Sequence, residues 1–140
     1  QMKWSVRDES LHSKMGCQLF RQMCQEDSTL LEACRKDTTE AAVTMVKLEE
    51  NYIDKMFEMG DIEGIKANDL KQFIRKRTNE KLVELGYVDL GSYFAYDSKA
   101  AASLDWFYHL TGGVTHTDFF SIRPTDYSKA NEGEDFEDIW

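Results

Sequence analysis

The sequence lacks a membrane-length apolar run, a cysteine framework and an excess of basic residues, and each absence excludes a class of protein. No apolar run is long enough to cross a bilayer and no signal-peptide pattern opens the chain, which predicts a cytoplasmic protein without membrane contact. The three cysteines, Cys17, Cys24 and Cys34, are odd in number and form no CxxC pair. They are therefore interpreted as reduced, buried thiols rather than as a disulfide framework or a zinc site.

Acidic residues outnumber basic ones, 26 to 17, and the formal net charge is −9. Such a chain gains nothing from the counterion release that drives nucleic-acid binding, which predicts no DNA or RNA partner. The composition, 41% hydrophobic and 31% charged over 140 residues, is typical of one modest globular domain or of a piece of a larger one. Gln1 already lies within a helical pattern, so we expect a processed or excised fragment.

Apolar spacing predicts three long helices and an all-α fold. The first helix runs from the start of the chain to about residue 24. The second begins at a capping box over residues 37–40 and stops near Gly60. The third takes Asn68 as its N-cap and ends at Gly86.

After Gly86 the sequence is aromatic-rich but weakly periodic, which predicts short helical turns and loops packed on the helices. Residues 1–110 are therefore interpreted as the helical domain, and residues 111–140, with an acidic run over 132–138, as a mobile tail. The aromatic residues interpreted as core are Tyr52, Phe57, Phe73, Tyr93, Phe94 and Tyr96.

The first predicted helix contains the stretch "SVRDESLH", in which Glu9 precedes His12 by one helical turn. On a helical wheel this pair lies beside the apolar side, in the sector that we expect to face other helices, and Asp8 falls within the apolar sector. The apolar side predicted to be buried comprises Trp4, Leu11, Met15 and Leu19.

Buried carboxylates need a cation or hydrogen-bond partners, because desolvating an unpaired charge costs several kcal/mol. Glu9 and His12 are close enough on a helix to reach one ion, and ferritin-like di-metal proteins use Glu-x-x-His in this way. The motif also arises by chance on exposed helix surfaces, and alone it is a weak pointer to metal. The sequence contains no second Glu-x-x-His, so this chain can supply only part of such a site.

With its flanking residues, "RDESLH" resembles the signature helix of the small, radical-generating subunit of class I ribonucleotide reductase. The segment "EENYIDKMFEMGDIEGIKANDLKQFIRKRTNEKLVELGY" resembles the two helices that follow in that family. The segment "TDFFSIRPTDYSKA" is similar to the family's entry into its C-terminal tail. Three matches in the same order make the resemblance specific, and they identify the chain as the C-terminal part of such a subunit.

The resemblance implies a role for five residues. Glu9 matches the family's metal-bridging carboxylate, and His12 matches the imidazole ligand of one metal. Asp8 matches an acid on the radical-transfer route, and Arg7 matches the supporting arginine beside it. Tyr127 matches the tail tyrosine that passes the radical equivalent to the large subunit.

The resemblance also implies a fold, a cofactor and partners. The fold would be a ferritin-like helical bundle completed by an N-terminal half that brings an Asp, a Glu-x-x-His and a third Glu. The cofactor would be a dinuclear centre of iron, with manganese or a mixed manganese–iron pair as alternatives. The completed subunit would be a homodimer whose acidic-apolar end, "DFEDIW", docks on the large subunit, where ribonucleotides are reduced to deoxyribonucleotides.

Two departures from the family pattern leave other interpretations open. The ligands and the radical tyrosine of the first helices are absent from this chain, and "YDSKAAASLDW" replaces the family's usual Asn-Pro-containing segment. The alternatives are a ferritin-like di-metal oxidase, which needs neither Tyr127 nor a docking tail, and a metal-free helical adaptor with an acidic interaction tail.

Overall fold

The structure, a computed structural model, describes the backbone of residues 2–60 and 62–106 and the side chains of residues 9–60 and 62–106. In these ranges no strand forms, and the β pairing is an isolated bridge between Ile62 and Ile65. The predicted all-α class is confirmed. No helix in the described part of the chain combines the length and apolar character that a membrane span needs. The helices are α1 (Met2–Glu26), α2 (Leu30–Phe57), α3 (Ala67–Leu85) and α4 (Ser98–Ala102), with a 3₁₀ turn at Val88–Leu90.

The second helix begins at Leu30, so the capping box predicted over residues 37–40 is wrong. The break between α1 and α2 is made by a short polar turn, in which Asp27 Oδ1 accepts hydrogen bonds from the Thr29 backbone N–H (2.9 Å) and hydroxyl (2.7 Å). These two bonds lower the pKa of the Asp27 carboxyl. Residues 30–36 are mostly strong helix formers, so the helix starts directly after the turn.

The third helix begins at Ala67 after an extended Lys66, and the predicted N-cap Asn68 lies inside it. Its end was predicted correctly. Gly86 has φ +112°, a left-handed conformation that glycine adopts without strain, and its N–H donates to the carbonyl oxygens of Leu82 and Val83. Gly60, just after α2, has φ +121° and confirms the other predicted stop.

The core lies around α3, which contacts α1, α2, α4 and the 3₁₀ turn. Tyr87 is fully buried directly after α3, and its hydroxyl donates to the Leu31 carbonyl oxygen at 2.9 Å, which fixes the start of α2 against the end of α3. The other buried residues are Ala42, Val46 and Ile53 of α2, Phe73, Asn79 and Leu82 of α3, and Ala101 and Leu104 around α4.

The segment after Gly86 forms the predicted short turns, and one buried amide holds it on α3. Asn79 Nδ2 donates to the Phe94 carbonyl oxygen at 2.9 Å, and Asn79 Oδ1 accepts from the Phe94 N–H at 3.0 Å. The core assignment of the aromatic residues is confirmed for Phe73 but is wrong for three tyrosines that are exposed in the structure. These are Tyr52, Tyr93 and Tyr96.

Candidate metal centre

Glu9 and His12 lie one turn apart on α1, as their spacing predicts. The Glu9 Oε2 and His12 Nδ1 atoms are 3.8 Å apart. Two atoms that each lie about 2.1 Å from a shared ion can be at most about 4.2 Å apart, so this separation allows both side chains to bind one metal. A carboxylate oxygen and an imidazole nitrogen also suit a transition metal such as iron or manganese. The pair therefore fits two positions of a metal centre.

Among the described residues, no helix covers either side chain. The Glu9 side chain is 77% exposed and the His12 side chain is 67% exposed. The expectation that the pair faces neighbouring helices is thus not met by the described residues. In those residues, no group of three or more His, Cys, Asp or Glu side chains is close enough to hold a metal.

α1 packs against its neighbours through a different set of side chains. The rings of Phe20 and Tyr87 are 6.3 Å apart between centroids. Burial raises the pKa of the Cys17 thiol, and the charge of Lys81 on α3 opposes that rise. Burial also raises the pKa of the Cys24 thiol, with a further rise from Cys34 on α2. All three cysteines are free thiols, and they are half-buried rather than buried as predicted.

The helical wheel of α1 predicted that Met15 and Leu19 are buried, and this prediction is wrong. Met15 and Leu19 are 58% and 61% exposed, and Leu11 is half-buried. The sequence has apolar residues on more than one side of α1, and periodicity alone cannot say which side the rest of this chain covers. Trp4, also assigned to the buried side, has a side chain outside the described residues.

The remaining predicted site residues lie outside the described side chains. Arg7 and Asp8 lie in α1, but their side chains are outside the part that the structure describes. Tyr127 and the whole of the predicted tail, residues 111–140, lie outside the described residues. Their roles therefore stay predictions.

An ion pair that the sequence did not indicate supports the end of the bundle where α1 joins α2. Arg35 Nη1 donates to Asp89 Oδ2 at 2.7 Å, and Arg35 Nε donates to Glu32 Oε2 at 2.8 Å. The guanidinium carbon also lies 5.3 Å from the centre of the Tyr87 ring. The bond from Arg35 lowers the pKa of the Asp89 carboxyl. Arg35 and Asp89 are 54 residues apart in the sequence, so no local pattern could have predicted that they pair.

An open cavity of about 350 Å³ lies between α3 and the segment that follows it. Its lining includes Lys76, Glu80 and Tyr96, and Lys76 Nζ donates to Asp105 Oδ1 at 2.9 Å. Neither Glu9 nor His12 lines this cavity. The candidate centre on α1 is therefore separate from it.

Comparisons with known proteins point to one family. The family model described as "Ribonucleotide reductase, small chain" matches residues 1–91. A protein of Invertebrate iridescent virus 3 named "Probable ribonucleoside-diphosphate reductase small subunit" is 34% identical over a match of 135 residues that covers 93% of this chain and 34% of that protein. A protein of Invertebrate iridescent virus 6 with the same description is 26% identical over a match of 159 residues that covers 98% of this chain and 43% of that protein. No solved structure matches the chain at a significant level. The chain thus spans between a third and a half of the length of the curated relatives it matches.

Proposed function

Because the chain belongs to the ribonucleotide reductase small-chain family, we propose that it is the C-terminal part of a ribonucleoside-diphosphate reductase small subunit. In this proposal residues 1–110 are the C-terminal helices of a ferritin-like domain, and residues 111–140 are a tail that docks on the large subunit. The large subunit would reduce ribonucleotides to deoxyribonucleotides. The completed small subunit would be a homodimer, and the chain would act in the cytoplasm.

The observation that carries the proposal is the Glu9–His12 pair, which lies within the residues matched by the family model. The pair has the spacing and the donor atoms for two positions of a dinuclear metal centre, while the described residues offer no third ligand beside it. A complementary N-terminal half would bring the remaining ligands, which the family resemblance gives as an Asp, a Glu and a second Glu-x-x-His. The metals would be iron, with manganese or a mixed pair as alternatives.

A bound metal pair would supply the oxygen chemistry that yields the oxidant or tyrosyl radical. The residues of this chain would bind the metals, orient a ligand of the other half and carry the radical equivalent towards the large subunit. Glu9 would offer a deprotonated carboxylate to the metal centre, and His12 would offer it a neutral imidazole nitrogen. Asp8, supported by Arg7, would accept a hydrogen bond from the ring N–H of a histidine ligand of the other half. This bond would orient that histidine. Tyr127 would pass the radical equivalent across the boundary to the large subunit.

Metal analysis of the reassembled subunit tests this proposal. The N-terminal half can be supplied as the segment of the iridescent virus 3 relative that lies outside the matched region. We expect Glu9→Ala and His12→Ala to lower the metal affinity of the purified complex by at least about 10-fold, because each removes a direct ligand. Glu49→Ala is the matched control, since Glu49 is an exposed acid on α2, and it should leave the metal content unchanged.

Equal metal content in Glu9→Ala and Glu49→Ala would contradict the assignment. A complex that binds no metal even with the native sequence would favour the metal-free adaptor. Metal binding with no affinity of the tail for a reductase large subunit would favour a ferritin-like oxidase.

A further inference from the structure

We draw no further inference here: the strongest candidate, the exposed apolar side of α2 with Met45, Leu48 and Tyr52, carries nothing because the part of the chain that the structure describes does not show what covers it.

Discussion

The buried amide of Asn79 allows a prediction whose size follows from the structure. Asn79 is 2% exposed and makes two hydrogen bonds, of 2.9 and 3.0 Å, to the carbonyl oxygen and N–H of Phe94. Asn79→Ala removes the side-chain donor and acceptor of both bonds, and it leaves the N–H and carbonyl oxygen of Phe94 without these partners. Each costs about 1–3 kcal/mol when it stays buried, so we expect a loss of about 2–4 kcal/mol once water reaches part of the gap. At about 1.4 kcal/mol per factor of ten, the Phe94 amide should then exchange at least about 25-fold faster.

Asn79→Asp separates the two bonds, because it keeps the acceptor and removes the donor. At neutral pH its carboxylate would face the Phe94 carbonyl oxygen, which carries a partial negative charge, so the two would repel. The pKa of the new carboxyl should therefore be higher in the folded state than in the unfolded state. The free energy of unfolding of Asn79→Asp should therefore be lowest near pH 7. It should rise as the pH falls through the folded-state pKa, because the protonated acid can again donate a hydrogen bond to the Phe94 carbonyl oxygen.

Urea denaturation followed by circular dichroism measures both variants, and hydrogen exchange of the Phe94 amide reports on the local bond. Asn51→Ala and Asn51→Asp are matched controls, since Asn51 is exposed on α2. If Asn79→Ala costs no more than about 0.5 kcal/mol beyond Asn51→Ala, the size expected of a typical surface substitution, the reasoning is refuted.

Two further predictions concern the Arg35–Asp89 pair and the tail. Arg35 lowers the pKa of Asp89, so the stability that the pair contributes is present above the unfolded pKa of roughly 4 and is lost as the pH falls through the folded-state value. The difference in Tm between the native chain and Asp89→Asn should therefore shrink between pH 7 and pH 3, and a constant difference would contradict this. A peptide of residues 118–140 should compete with the assembled small subunit for the reductase large subunit, and Trp140→Ala should weaken that competition because large apolar side chains anchor such contacts. Equal competition by a scrambled peptide would count against the docking role of the tail.

The sequence was sufficient where local geometry decides the outcome. Gly60 and Gly86 both end helices in left-handed conformations, as their positions predicted. The one-turn spacing of Glu9 and His12 follows from the pitch of the helix and also held. The start of α2 was predicted wrongly, because the sequence offers two possible starts. The helix begins after the turn around Asp27, and the capping pattern at residues 37–40 lies inside it.

The sequence was insufficient where distant residues decide the outcome. Met15 and Leu19 were assigned to the buried side of α1, but the side that meets Tyr87 carries Phe20. Tyr52 was assigned to the core and is exposed on α2. In each case apolar character is visible in the sequence, whereas the identity of the covering element is a property of the folded chain.

The contacts that join the start of α2 to the end of α3 also set an order of events during synthesis. Leu31 and Tyr87 are 56 residues apart, and Arg35 and Asp89 are 54 apart. At about 5–20 residues per second, a ribosome needs roughly 3–10 s to make the intervening chain. During that interval the α1–α2 hairpin exists without the aromatic ring that later closes over it, so its apolar residues are open to other nascent chains or to a chaperone. The bundle can close only after residue 89 has left the ribosome, and a ribosome that stalls earlier leaves an unclosed hairpin.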